Sequence, residues 1–246
     1  MTLGIVAEPV AGLPEVEPGD DLAALVIATG AAIGSGDVVV VSQKVVSKAE
    51  GRLVRLPDVR PSPEARRLAE ELGKEPEMVQ LVLDESEAVL RAERGVLITR
   101  TRHGLVCANA GVDRSNVPGD DLACLLPADP DASARAIRAA LPGRPAVVVA
   151  DSFGRAWRLG QTDVAIGCAG LAPLDDRRGR TDHGGRELAA TLDAVADEAA
   201  SAAALARDKA GREAVVVVRG LDRYVTEEDG PGAVAIVRPL PEDLFR

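Results

Sequence analysis

The stretch Val147–Gly170, VVVADSFGRAWRLGQTDVAIGCAG, decides how this chain reads. Its first four residues, Val147 to Ala150, follow Pro145 as a short continuous apolar run, the pattern of a strand buried on both faces. The run ends in Asp151, an acid at the strand's end. Ser152, Gly154 and Gly160 supply turn chemistry after it, and Arg155 and Arg158 offer planar donor forks suited to carboxylates and phosphates. From Asp163 to Gly170 the residues are small and glycine-spaced, as backbone needs when it approaches a ligand or another strand closely. The plainest account is strand, turn and strand, with Asp151 paired to Arg155 or Arg158. A turn needs only one or two special residues, however. Between Asp151 and Gly160 there are an acid, a hydroxyl, two arginines, a tryptophan and two glycines, a density that favours a site.

Working outward, 246 residues suffice for a sizeable core, in one domain spanning 1–246 that could divide into two lobes. Apolar residues make up 46% and charged residues 28%, the balance of a soluble globular chain. No window approaches the length of a membrane span, and MTLGIVAEPVAG lacks the basic flank and apolar core of a signal peptide, so a cytoplasmic protein without a membrane partner is expected. Asp and Glu outnumber Lys and Arg by 39 to 29, for a net charge of -10. An acidic surface repels phosphate backbones, and two Phe, one Tyr and one Trp leave little for bases to stack on, which argues against a nucleic-acid partner. Cys107, Cys124 and Cys168 are odd in number, widely spaced and set among small or apolar neighbours; they read as buried hydrophobes in a reducing compartment. With only His103 and His183 as imidazoles, any metal would be oxygen-ligated and hard, such as Mg²⁺ or Mn²⁺.

In chain order, a short first strand is followed by a loop with Gly12, Pro14, Pro18 and Gly19. A helix then runs from about Asp20, with Leu22, Leu25, Val26 and Ile33 as its apolar side, until Gly34-Ser35-Gly36-Asp37 ends it. DVVVV predicts a buried strand leading into a polar segment that carries Lys44 and Lys48, lysines that could hold phosphates as point charges. Residues 52–60 are a connection. Ser62 caps and Pro63 starts a helix to about Gly73, and a second helix covers Glu75 to Asp84. VLITR and LVCANAGV read as strands joined by a hairpin turn at Thr101 to Gly104. The loop AGVDRSNVPGDD comes next, an apolar strand giving way to glycine, acid and the amide of Asn116. A helix over about Asp131 to Leu141 leads to the Asp151 strand. The polar loop PLDDRRGRTDHGG is followed by the longest helix, about Arg186 to Arg207, then a valine strand Ala214 to Val218 and a last strand GAVAIVRP. Helices and strands thus follow one another along the whole chain, with no internal repeats.

Asp113 and Asp151, each read as lying on a loop just past a strand, could converge on one divalent cation, with Ser152 adding a hydroxyl ligand. So sparse a set implies that waters and phosphates complete the shell. A phosphoaspartate enzyme would want a second acid two residues after Asp151, where Phe153 stands; no GxxxxGK string marks a P-loop; and a glycosidase pair leaves the arginines and lysines unexplained. Metal-assisted chemistry on an anionic, nucleotide-like substrate fits. A metal-dependent phosphohydrolase and a non-catalytic nucleotide-binding protein remain as alternatives.

The strings GLPEVEPGDDL, GDVVVVSQKVVSKAEGRLV, AGVDRSNV, DSFGRAWRLGQTDVAIGCAGL, VADEAA and VVVRG, in this order over nearly the whole chain, closely resemble the coenzyme F420:L-glutamate ligase (F420-0 gamma-glutamyl ligase) family. The resemblance implies an α+β (mixed α/β), non-P-loop gamma-glutamyl ligase fold of two intertwined lobes, forming a homodimer. It also implies a reaction in which GTP and Mg²⁺ or Mn²⁺ join L-glutamate to the lactyl carboxylate of F420-0 and then add γ-linked glutamates. In the bacterial two-domain form the ligase precedes a nitroreductase-like domain; this chain stops at DLFR, where that domain would begin, so it resembles a stand-alone ligase or a ligase domain cut from a longer parent. Carried over, the GTP-contacting segment falls on Leu13, Pro14, Glu15 and Val16, further nucleotide contacts on Ser42, Gln43, Lys48 and Asn116, and the metal ligands on Asp113, Asp151 and Ser152. Gln43 departs from relatives with a small hydroxyl there, and RDKAGREAVVVV leaves a further ligand unassigned among Asp208, Lys209 and Glu213. The expected mechanism proceeds through an acyl phosphate, with Lys48 neutralising phosphate. Arg155 and Arg158, a reading from the residues alone, would hold the coenzyme phosphodiester or the incoming glutamate.

Overall fold

The computed structural model describes residues 4–115, 119, 121–208 and 213–243. In chain order its elements are β1 Val6–Pro9, α1 Leu22–Ala28, β2 Val38–Ser42, α2 Gln43–Ala49, β3 Leu53–Arg55, α3 Pro63–Leu72, α4 Pro76–Asp84, β4 Ser86–Glu93, β5 Val96–Thr101, β6 Val106–Ala108, β7 Leu122–Cys124, α5 Pro130–Ala140, β8 Ala146–Arg155, β9 Arg158–Ala169, β10 Asp175–Asp176, β11 Leu192–Asp193, α6 Val195–Ala206 and β12 Val215–Arg219.

The three valine runs make the centre of a five-stranded sheet ordered β1-β12-β2-β8-β9. β2 and β8 are parallel; the other neighbouring pairs are antiparallel. Because side chains alternate across a strand, Val39, Val41, Val147, Val149, Val215 and Val217 pack on one face with α1 and α5. Val38, Val40, Val148, Val216 and Val218 pack on the other with α6. A sheet covered on both sides explains why these strands are apolar without alternation. The third core lies under α3 and α4, beside the β4-β5-β6 and β3-β7 sheets. The mixed α/β, α+β architecture expected from the sequence is therefore present.

Local chemistry sets most helix boundaries. Asp21 and Ser62 cap α1 and α3 by accepting from the backbone of Ala24 and Ala65, and Gly73 closes α3 in the left-handed conformation. Several expectations need correction. α1 stops at Ala28, and Ile33 lies outside it, because Gly30 takes φ 75° and breaks the helix early. The polar segment after β2 is helical, with Val46 and the Lys48 stem buried. β4 is a strand that the sequence does not announce: its side chains are largely exposed and carry no apolar alternation. The helix expected from Arg186 starts only at Val195. Before it, Leu188 and Arg186 donate backbone N–H groups to Arg180 and to the Asp182 side chain, holding that stretch in a polar loop. GAVAIVRP holds a short 3₁₀ turn, not a strand, since Ala233 and Val234 donate to Asp131 at the start of α5.

Most consequential is the Asp151 stretch. β8 does not end at Ala150 but runs to Arg155, and Asp151 lies within a strand that pairs with β9. The turn falls at Ala156 and Trp157, where Trp157 has φ 58°. α5 packs so closely on β9 that a Cβ at Gly167 would lie 2.2 Å from the Pro130 carbonyl oxygen. Backbone cannot move aside as a side chain can, so Gly167→Ala is expected to destabilise the protein by roughly 1–3 kcal/mol, as overpacked sites do. Urea unfolding measures it, and an unchanged midpoint would contradict this packing.

Candidate functional site

The sheet's register builds the site. β2 and β8 run parallel with Ser42 opposite Ala150, so the chain leaving each strand emerges at the same end of the sheet. From β2 comes α2 with Lys44 and Lys48; β8 continues into Asp151 and Ser152. The start of antiparallel β12 reaches the same end, where Ser42 donates its N–H to the Ala214 carbonyl, and Val10 donates to Val215 to bring in the loop Leu13 to Val16. The Asn109–Ser115 segment closes the space from the α3/α4 side. The result is a cavity of about 900 Å³.

Of the residues singled out from the sequence, Leu13, Pro14, Glu15, Val16, Ser42, Gln43, Lys48, Asp113, Asp151 and Ser152 all line this cavity. Arg155 and Arg158 do not. They stand exposed at the β8–β9 tip, where Arg155 donates to the Leu159 carbonyl, and neither is paired with Asp151. Asn116 and Lys209 lie outside the described residues.

The acids differ in environment. Asp113 accepts Ser115's backbone N–H and hydroxyl and meets Lys44 Nζ at 2.5 Å. Burial alone would favour its neutral form, but Lys44 and Ser115 outweigh it and hold the carboxyl below the usual range. Asp151 is the reverse: burial, helped by the charges of Asp163 and Asp113 and opposed by the Ser152 N–H and Lys44, pushes it up to about 6. Ser152 Oγ donates to Asp163 Oδ1 at 2.6 Å, and Arg207 Nη2 donates to Asp163 Oδ2 at 2.8 Å. Across the cavity Lys48 Nζ meets Glu15 Oε1 at 2.5 Å. Cys107, also in the lining, is pushed up to about 12 by burial and then by Asp151's charge, so it is an inert thiol, and all three cysteines are buried as expected.

Backbone geometry singles out two places. A one-residue register shift between Val149 and Ala150 against β9 re-aims the strand just before Asp151. Asn109, Ala110 and Gly111 take φ of 52°, 52° and 71° in succession directly ahead of Asp113, a strain that non-glycine residues accept only where surroundings enforce it.

The donors present are carboxylate and hydroxyl oxygens with no imidazole or thiolate facing them, which fits a hard divalent cation. Asp151, a carboxylate made costly to ionise beside other acids, gains most from a cation. Among the described residues no three His, Cys, Asp or Glu side chains form a metal-holding group, so waters and ligand oxygens would complete a shell. Sequence reasoning missed Asn109, Ser115, Asp163 and Arg207, whereas Lys44, weighed there with Lys48 as a point charge for phosphate, does line the cavity. The available signal was Asp163 itself, an acid heading the small, apolar run VAIGCAG.

A family model described as F420-0:Gamma-glutamyl ligase matches residues 12–220. The chain is 42% identical over 253 aligned positions to the coenzyme F420:L-glutamate ligase of Methanothermobacter thermautotrophicus, with 99% of this chain and 100% of that protein covered. It is 44% identical to the enzyme of that name from Methanopyrus kandleri, covering 97% and 96%, and 48% identical to that from Natronomonas pharaonis, covering 96% and 92%.

The Asp151 environment has a measurable signature in metal-free protein. Its folded pKa, about 6, lies above the unfolded value of 3.8, so the folded state holds the proton over a range where the unfolded chain has lost it. Stability is unpenalised below about pH 4 and falls as pH rises from about 4 to 6. Asp151→Asn should therefore melt higher than wild type at pH 7, and the gap should close by pH 4. A gap constant across that range in thermal melts would show that Asp151 is not held this way.

Proposed function

The chain belongs to the F420-0:gamma-glutamyl ligase family, whose members join glutamate to F420, and we propose a fuller reaction for it. The protein uses GTP and Mg²⁺ or Mn²⁺ to join L-glutamate to the lactyl carboxylate of F420-0 through an acyl phosphate, then adds further γ-linked glutamates. The observation that supports this reading is the convergence of Asp113, Asp151, Ser152, Lys44 and Lys48 on one cavity large enough for a nucleotide and an acceptor.

In this reading Asp113, Asp151 and Ser152 hold the cation. When bound, it would neutralise polyphosphate charge and stabilise the transferred phosphoryl group. The loop Leu13–Val16, with Ser42 and Gln43, positions the nucleotide. Leu13 and Val16 turn their side chains into the core, so that loop meets the ligand through its backbone and Glu15. Lys48, 6% exposed and held by Glu15, and Lys44, held by Asp113, set two ammonium groups at fixed points facing the cavity. The acceptor carboxylate attacks the γ-phosphorus, the bond to GDP breaks, and the acyl phosphate forms. Glutamate's amine attacks the carbonyl carbon, the C–O bond to phosphate breaks, and the amine's proton is lost. The chain's contribution is positioning and charge neutralisation. Arg155 and Arg158, outside the cavity lining, leave phosphate neutralisation to the two lysines. The same reading takes the protein as a cytoplasmic homodimer.

Incubation with F420-0, GTP, Mn²⁺ and L-glutamate should give products heavier by whole glutamyl residues in mass spectrometry. No such product with either metal would sink the proposal. Phosphate release should depend on the carboxylate acceptor and on glutamate; release at full rate without them would identify a phosphohydrolase instead. Asp113→Asn and Asp151→Asn should each lower ligation at least about 100-fold, the scale of losing roughly 3 kcal/mol of transition-state stabilisation.

A further inference from the structure

A buried ion pair forms the wall behind Ser152. Asp163 lies on β9 directly opposite Ser152 on β8, and Arg207 follows the last turn of α6. Asp163 is 4% exposed as a residue and the Arg207 side chain 9% exposed. The arrangement is costly: two charges are withdrawn from water, and Arg207 Nε, also buried, meets no hydrogen-bond partner. Ser201, on α6, donates its hydroxyl to the Asp163 carbonyl and meets Thr162 Oγ1 at 2.9 Å, so backbone and side chain are both fixed. A valine at this position would pack against α6 without any of these demands.

The pair has one evident effect on the cavity. Asp163's carboxylate, with one oxygen on Arg207, accepts the Ser152 hydroxyl's hydrogen bond on the other, at 2.6 Å between oxygens. A hydroxyl has one proton and two lone pairs. Committing the proton to the buried wall makes Ser152 Oγ an acceptor toward everything else, and pins its rotamer. Without Asp163 the same hydroxyl could rotate and present its proton to the cavity, where it would repel a cation.

We propose that Asp163, held by Arg207, is a positioning residue that fixes Ser152 Oγ as an oxygen donor to the divalent cation. The inference rests on the metal-binding reading of Asp113, Asp151 and Ser152, and it adds two residues that reading does not use.

The test is a double-mutant cycle on Mn²⁺ affinity, measured with the full chain by calorimetry or by the electron paramagnetic resonance of free Mn²⁺, with GTP present at a fixed concentration. Asp163→Asn should weaken Mn²⁺ binding about 10–100-fold, as loss of a ligand's orienting partner does. In a Ser152→Ala background the same change should weaken it less than about threefold, because the group it orients is gone. Equal losses in the two backgrounds, or no loss from Asp163→Asn in the wild-type background, would overturn the proposal. A wild-type protein that binds no Mn²⁺ would sink the metal reading and this inference with it, an outcome distinct from either. Should Asp163→Asn not fold, Asp163→Glu keeps a charge for Arg207 while shifting the acceptor away from Ser152, and is read in the same cycle with the same two outcomes.

Discussion

The parallel pairing of β2 with β8 is the constraint on which the site depends. With Ser42 set beside Ala150, the chain has no choice about where α2 and Asp151 go: they leave the sheet at one end, side by side. Antiparallel pairing would have sent α2's lysines to the end opposite Asp151. The flanking antiparallel strands add their near ends to the same place, which is how residues from Leu13 to Ala214 come to share one cavity. A parallel pair needs a long crossover, and here the crossover contains α3, α4 and the β3-β7 and β4-β5-β6 sheets. The insertion that makes the pairing possible also supplies Asp113.

Charge in the cavity is balanced locally. Three acids, Asp113, Asp151 and Asp163, line the cavity, with Lys44 paired to Asp113 and Arg207 to Asp163. Asp113 and Asp163 each form an ion pair; among the described residues none forms at Asp151, whose burial raises its pKa. Two acids are held in fixed positions by their partners, and in the proposed reading a bound cation would relieve the third.

Much of this was legible in the sequence, and the remainder was hidden for identifiable causes. The valine runs announced buried strands because continuous apolar residues with strand length have few other solutions. Asp113, Asp151 and Ser152 stood out as polar chemistry attached to such runs. The ends of elements were harder. Asp151 looked like a strand terminus because polarity begins there, yet β9 pairs with it regardless, and backbone hydrogen bonding does not depend on side-chain polarity. Likewise Arg155 and Arg158, close to Asp151 in sequence, are carried by continued pairing to the hairpin tip, beside Trp157 at 81% and Leu159 at 97% exposure. Asp163 and Arg207 were invisible as a pair because 44 residues separate them, and only the packing of α6 on β9 brings them together. The helix over-extended to Arg186 fails for a local reason: its alanines and leucines keep helical spacing, but the preceding arginines and aspartates satisfy one another in a loop.

Helix α5 ties early and late parts of the chain. Arg138, 2% exposed, donates to Asp229 and to the Thr226 and Glu227 carbonyls. Asp131, at the other end of the helix, accepts from Cys168, Ala233 and Val234. Arg138 and Asp229 are 91 positions apart. During synthesis a ribosome adding about 5–20 residues per second leaves that guanidinium waiting on the order of ten seconds for its acceptors. Until residues 226–234 emerge, the outer surface of α5 cannot be sealed. That side of α5 is therefore completed only some 91 positions after Arg138 has been added.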